Sequence, residues 1–220
     1  MRDWAPALAA EAIGTFLFFF IAAGAALLAT GDPAAVLLIV ALAHGLVLAV
    51  LVSSLGAVSG AHFNPAVTLG LWVAGKIDAA KGLAYVVAQL VGAVAAGFAL
   101  AYFFTDVGPA VPALGQGVDA FSGIVLEAIM TVVLLLAVFG TAVDPRGPKL
   151  GGLAIGLAVA ADILLGGALT GAAMNPARWF GPALAAGAFD NWYVWWIGPA
   201  AGAILVALLY RYLFAPPSEG

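Results

Sequence analysis

The sequence predicts an all-α membrane protein, with six transmembrane helices and two re-entrant half-helices arranged as an inverted repeat. Three observations lead there. Of 220 residues, 65% are hydrophobic and only 8% are charged, whereas an ordinary soluble domain carries about 25% charged residues and less than half apolar ones. Six segments are apolar over the roughly 20 residues that a bilayer requires. The two halves of the chain also repeat one another at an offset of about 110 residues.

The composition excludes several classes of function. Seven basic and eleven acidic side chains cannot cover the surface of a soluble globule of this size, so a soluble enzyme and a nucleic-acid binder are both ruled out. The net charge of −4 says little for a chain buried in lipid. With no cysteine, disulfides, thiolate metal sites and thiol catalysis are excluded. The 28 glycines and 12 prolines suit membrane helices, where small residues let backbones approach closely.

The first span, 7–30, contains Glu11 and is too long for a cleavable signal peptide, so it reads as an uncleaved helix. The second, 34–54, carries His44 near its middle. A shorter apolar stretch, 64–74, begins at Asn64-Pro65 and cannot cross the bilayer. The third and fourth spans cover 80–104 and 120–141, the latter with Glu127. The fifth, 150–169, holds Asp162 and Ile163. A second short stretch, 175–186, begins at Asn175-Pro176 and precedes the sixth span, 191–214. No segment alternates like a spanning strand. The tail after Leu213 contains Pro216-Pro217 and no lipidation signal. The expectation is one domain over 1–220, its halves being about 7–104 and 120–214.

The repeat is read from four pairs. The residues around Glu11 match those around Glu127, and Leu42–Leu46 matches Leu153–Leu157. Gly60-Ala61-His62-Phe63-Asn64-Pro65-Ala66 matches Gly171-Ala172-Ala173-Met174-Asn175-Pro176-Ala177, and Val91-Gly92-Ala93 echoes Ala201-Gly202-Ala203. Three spans per half is an odd number, so the second half enters the bilayer upside down, which puts the working site at the midplane. With six spans, Arg2, Lys76, Lys81, Arg146, Lys149 and Arg211 share one side with both termini, and that side is expected to be cytoplasmic. The remaining basic residue, Arg178, lies beside a short stretch on the other side.

The two Asn-Pro-Ala triplets, Asn64-Pro65-Ala66 and Asn175-Pro176-Ala177, carry the chemistry. Asn is a strong helix N-cap, and Pro suits the first helical position because its missing N–H costs nothing there. Inverted symmetry brings the two helix starts together with the positive ends of their dipoles aimed at one point. Each asparagine can cap its own helix and still offer an N–H inward. A water molecule there presents its oxygen to the asparagines, and a cation is repelled.

Ser59–Thr68 and Gly171–Arg178 resemble the two signature loops of the aquaporin (major intrinsic protein) family, and the resemblance runs from Glu11 to Pro199. It implies the aquaporin-like fold, a homotetramer, and a channel for water and small neutral solutes across a lipid bilayer. It also implies a constriction formed here by His44, Ile163, Ala172 and Arg178. That lining is similar to the tonoplast intrinsic proteins, as are Val111-Pro112-Ala113 and the Ile163–Ala168 run. The expected location is the plasma membrane. No cofactor, metal or nucleic-acid partner is implied, and no enzyme motif or metal-spaced cluster is found.

Physical readings stand beside the resemblance. Arg178 in a narrow pore opposes cations and donates hydrogen bonds, the bland alternative being a snorkelling interfacial arginine. His44 is either pore lining or hydrogen-bonded packing, and His62 either lines the inner vestibule or braces its loop. Glu11 and Glu127 either accept backbone N–H groups of the re-entrant loops or form a proton relay. Asp162 either bonds loop backbone or faces a neighbouring subunit. Polyol-conducting relatives typically carry aspartate and lysine where Trp179 and Ala183 stand, whereas Trp195-Trp196 is like the water channels. The competing functions are a glycerol facilitator, a proton-coupled transporter and a closed junctional protein.

Overall fold

The computed structural model describes residues 4–214. Arg2 and Pro216-Pro217 lie outside them. Eight α-helices follow one another as α1 (Ala5–Leu28), α2 (Pro33–Ser59), α3 (Pro65–Val73), α4 (Ala79–Phe103), α5 (Ala120–Val138), α6 (Leu153–Thr170), α7 (Pro176–Ala186) and α8 (Val194–Leu209). Short π-helical turns, Phe139–Val143 and Tyr210–Phe214, extend α5 and α8. Among the described residues, six helices are long and apolar enough to cross a membrane. The two that are not are α3 and α7, which begin at the two Asn-Pro pairs.

Polar residues at the helix starts explain several boundaries. Asp32, Asp78 and Asp119 accept hydrogen bonds from the first-turn N–H groups of α2, α4 and α5, each cap being worth about 1 kcal/mol. The second helix runs five residues beyond the expected end at residue 54. Ser53 and Ser54 do not stop it, because their hydroxyls donate to the carbonyls of Ala49 and Val50 one turn back. It ends at Gly60, whose φ of 92° suits glycine. The fifth span starts three residues later than expected, since Gly151 at φ 57° turns the chain before Leu153.

The packing obeys the exchange symmetry of an inverted repeat. Helix α1 packs on α4 and α2, as α5 packs on α8 and α6; α4 carries α7, as α8 carries α3; α2 crosses α6, and α3 meets α7. Glycines sit at these crossings. Gly45 and Gly156 face each other between α2 and α6, where a Cβ on either would strike the other's carbonyl. Gly92 lies against the Ala12 carbonyl, and Gly202 against that of Ala128. In lipid, such close backbone approach supplies the van der Waals attraction that hydrophobicity cannot. The result holds the starts of both half-helices inside the bundle.

Candidate functional site

The two asparagines meet across the centre of the bundle. Asn64 Nδ2 donates to the Met174 carbonyl and Asn175 Nδ2 to the Phe63 carbonyl, each at 2.9 Å. Each side chain therefore holds the loop of the opposite half. Their oxygens cap their own helices, accepting from the Ala66 N–H at 2.8 Å and from the Ala177 N–H at 2.9 Å. Each amide still has a second N–H, and both side chains line one cavity. Pro65 and Pro176 occupy the first helical positions, and the small, buried Ala66 and Ala177 follow them.

The loops leading into these helices are strained. Ala61, Phe63, Ala172 and Met174 all have φ between 43° and 53°, at about 1–3 kcal/mol each for residues with a Cβ. Two buried carboxylates hold them. Glu11 accepts from the N–H groups of His62 (2.9 Å) and Phe63 (2.8 Å), the Ser59 hydroxyl (2.6 Å) and Gln89 Nε2 (2.7 Å). Glu127 accepts from the N–H groups of Ala173 (2.9 Å) and Met174 (2.6 Å) and the Thr170 hydroxyl (2.6 Å). Hydrogen bonds to charged acceptors are the strong ones, at about 1.5–3 kcal/mol each, enough to offset the strain.

Several of these partners escaped the sequence reading. The Tyr85 hydroxyl donates to the Ser59 carbonyl at 2.7 Å, and at the equivalent place Trp195 Nε1 donates to the Thr170 carbonyl at 2.9 Å. Gln89 serves Glu11 and also donates to the Thr68 hydroxyl. Ser59, which opens the first signature loop, and Thr170, just before the second, are hydroxyl residues at equivalent places and were the signal that could have been followed.

Two cavities meet at Arg178. The inner one, about 280 Å³, is lined by His44, Leu48 and Val52 of α2, by Ile155 and Val159 of α6, by Asn64, Asn175 and Ala172, and at its far end by His62, Lys76 and Lys81. The outer one, about 760 Å³, is lined by Ile163, Gly167 and the Pro109–Ala113 segment. Arg178 lines both. Of the four constriction residues expected from the sequence, His44 and Ala172 line the inner cavity, Ile163 lines the outer one and Arg178 lines both, so the neck between the cavities lies at Arg178. Arg178 Nε donates to His44 Nε2 at 3.1 Å, and Nη1 is buried with no protein partner among the described residues. His44 Nδ1 lies 2.8 Å from the Val40 carbonyl. His62 both lines the inner cavity and holds Thr68, its Nδ1 3.0 Å from that hydroxyl.

The remaining acidic residues stand apart from this path. Glu11, Glu127 and Asp162 line neither cavity. Asp162 is buried on α6, with Oδ2 unpartnered among the described residues. Among those residues no group of three or more His, Asp or Glu could hold a metal ion.

Apolar walls, two inward-facing amides, a buried guanidinium and two opposed helix N-termini define a transmembrane channel, not an enzyme. The chain belongs to the major intrinsic protein family, whose model matches residues 2–210. It is 48% identical over 218 residues to aquaporin TIP4-4 of Zea mays, covering 94% of this chain and 86% of that one. It is 42% identical over 219 residues to aquaporin TIP2-1 of Arabidopsis thaliana, covering 96% and 88%. The X-ray structure of the aquaglyceroporin from Plasmodium falciparum superposes with a TM-score of 0.79, over 97% of this chain and 98% of that one; at 23% identity it shares the fold. The Zea mays and Arabidopsis relatives are tonoplast intrinsic proteins, so the expected plasma-membrane location finds no support in them, and the chain is an integral, multi-pass membrane protein.

Proposed function

We propose that the chain conducts water passively, together with small neutral solutes such as ammonia, and excludes protons and ions. The observation that carries this reading is the reciprocal hold of Asn64 and Asn175 on each other's loop, which fixes both amides at one point of the cavity. A water molecule at that point receives N–H donors on its oxygen, so its hydrogens point away from the centre toward both mouths. Proton hopping needs one uninterrupted donor direction, which this orientation breaks. The positive ends of α3 and α7, each worth about half a charge, oppose cations there, and Arg178 opposes them again at the neck.

His44, Ile163, Ala172 and Arg178 form the selectivity filter in this reading. Ile163 gives an apolar wall, Ala172 a small one, and His44 with Arg178 directional hydrogen bonds. Glu11 and Glu127 brace the loops; because neither lines the cavity, neither offers a proton route for coupled transport. Trp179 in place of aspartate argues against a dedicated polyol facilitator. The channel works as a homotetramer with both termini cytoplasmic; the family supports the assembly, and the one-sided distribution of Lys and Arg supports the orientation.

Stopped-flow light scattering on reconstituted vesicles tests the proposal. Vesicles with the protein shrink faster than empty ones under an osmotic gradient, with a low activation energy, while an internal pH dye reports no added leak. A proton leak that rises with the water flux overturns the mechanism.

A further inference from the structure

Trp179 directly follows the neck arginine, yet it lines neither of the two cavities that meet there. It is 2% exposed. One face stacks on Trp195 with ring centroids 5.6 Å apart and planes within 6°, and Phe189 closes on it at 6.1 Å and 69°. Trp195 is also the side chain whose Nε1 donates to the Thr170 carbonyl at 2.9 Å. Thr170 in turn stands two residues before Ala172, and its hydroxyl donates to Glu127 at 2.6 Å. A continuous path of contacts thus leaves α7 beside Arg178, passes through two stacked indoles, and reaches the end of α6 at Thr170, just before the loop that carries Ala172.

Ala172, in the loop, and Arg178, on the first turn of the short half-helix α7 that follows it, supply one side of the neck, while the spans α2 and α6 supply the other. The spanning helices are stiff; the loop, with the half-helix that it carries, is the side that can yield. Within it, Ala172 and Met174 sit at positive φ, a conformation that persists only when the surroundings impose it. Hydrogen bonds to Glu127 anchor the middle of the loop. Trp195 of α8 holds the Thr170 carbonyl just before the loop and stacks on Trp179 just after it, so the stack ties the two flanks of the loop together.

We infer that the Trp179–Trp195 stack sets the width of the channel's neck by holding Ala172 and Arg178 at fixed separation, and that Trp179 is a positioning residue for solute size selection. The inference rests on the channel reading above. Water, the smallest solute, needs little of the clearance that a looser loop provides. Larger neutral solutes such as urea and glycerol need more, so their flux reports the loosening. The readout is therefore the ratio of urea or glycerol permeability to water permeability, which is independent of the amount of folded protein.

Three variants are compared in reconstituted vesicles with the unmodified protein: Trp179→Ala, Trp179→Phe and Trp195→Phe. Trp179→Ala removes the stack and is expected to raise the urea-to-water ratio by about two- to tenfold, the range that one buried aromatic pair is worth. Trp179→Phe keeps a ring on Trp195 and restores most of the original ratio. Trp195→Phe keeps the ring contact but cuts the N–H bond to Thr170, and it raises the ratio as well; it keeps the test decisive if Trp179→Ala does not fold. Unchanged ratios in Trp195→Phe and in every folded Trp179 variant overturn the inference while leaving the channel reading intact. Absence of water flux in the unmodified protein sinks the channel reading itself.

Discussion

Arg178 Nε donates to Nε2 of His44 at 3.1 Å, and this one bond determines the state of the histidine. A guanidinium can only donate, so Nε2 is an acceptor. A carbonyl can only accept, so the ring proton sits on Nδ1, 2.8 Å from the Val40 oxygen. The imidazole is neutral, and its polar edge is aimed across the neck. Moving that edge is the direct test of the filter. The double variant His44→Phe, Ile163→His places the imidazole on the opposite wall and narrows the aperture. It is expected to keep water flux and to lower the ammonia-to-water permeability ratio by about tenfold or more, the scale of one well-placed contact in a specificity site. An unchanged ratio shows that these residues are not the filter.

Ala172 offers a chemical handle on the same neck. The chain has no cysteine, so mercuric ion is expected to leave water flux unaffected. Ala172→Cys places a thiol on the cavity wall beside Arg178, and mercuric ion then blocks the flux, with recovery on adding a reducing thiol. Inhibition of the unmodified protein would contradict direct pore block.

The braces predict a loss of stability. Glu127→Gln leaves an amide where three donors converge, from Thr170, Ala173 and Met174. Loss of charge-assisted bonds to buried donors is expected to cost about 2–4 kcal/mol, read as earlier unfolding in detergent. Water flux per folded molecule falls with it, because the Met174 N–H that Glu127 holds is next to Asn175, whose amide then loses its fixed place in the cavity. A proton-coupled transporter would instead lose its transport with its stability unchanged.

Much of the fold was legible because membrane burial leaves a coarse signature. Spans show as apolar length, and Asn64-Pro65 and Asn175-Pro176 show as helix starts at any depth. The partners of the site were harder to read. Tyr85 and Trp195 do one job at equivalent places, yet share only a side-chain donor at the end of an aromatic ring. A repeat traced by residue identity passes over them. Gln89 has no equivalent donor in the second half, where Pro199 occupies the matching place. Its role depends on α4 packing beside α1, a tertiary fact with no local pattern. The end of α2 lies five residues past the expected one for a similar reason, since apolar length does not show that the Ser53 and Ser54 hydroxyls turn back onto the helix and let it run on to Ser59.

A clamp centred on Asp144, just past the end of the fourth span, predicts a pH dependence. Arg146 makes a two-pronged contact with Asp144, at 2.9 Å and 2.6 Å, and also holds the Phe214 carbonyl, while the Tyr210 hydroxyl donates to Asp144. These donors, the Arg146 side chain first, hold the Asp144 carboxyl well below the usual carboxylate range. A depressed value means stabilisation that is complete above the ordinary aspartate pKa and is lost as pH falls toward the folded one. Asp144→Asn is therefore less stable than the unmodified protein by a constant margin from about pH 8 down to about pH 5, and the margin shrinks below about pH 4. A margin that grows on acidification overturns the assignment.

The reciprocal bonds from Asn64 and Asn175 join positions 110 and 112 residues apart. The ribosome makes the first partner of each pair long before the second. At about 5–20 residues per second the wait is roughly 5–20 s. At its final depth in a half-built bundle, the first loop would leave the Phe63 carbonyl and the Asn64 amide without these partners and with hydrocarbon around them. The first re-entrant loop therefore cannot settle at its final depth as it emerges. It stays near the aqueous boundary, or is sheltered by the insertion machinery, until α7 arrives. Assembly of the two halves is then a single closing event late in synthesis, and a chain truncated before Asn175 should leave its first signature loop open to aqueous reagents.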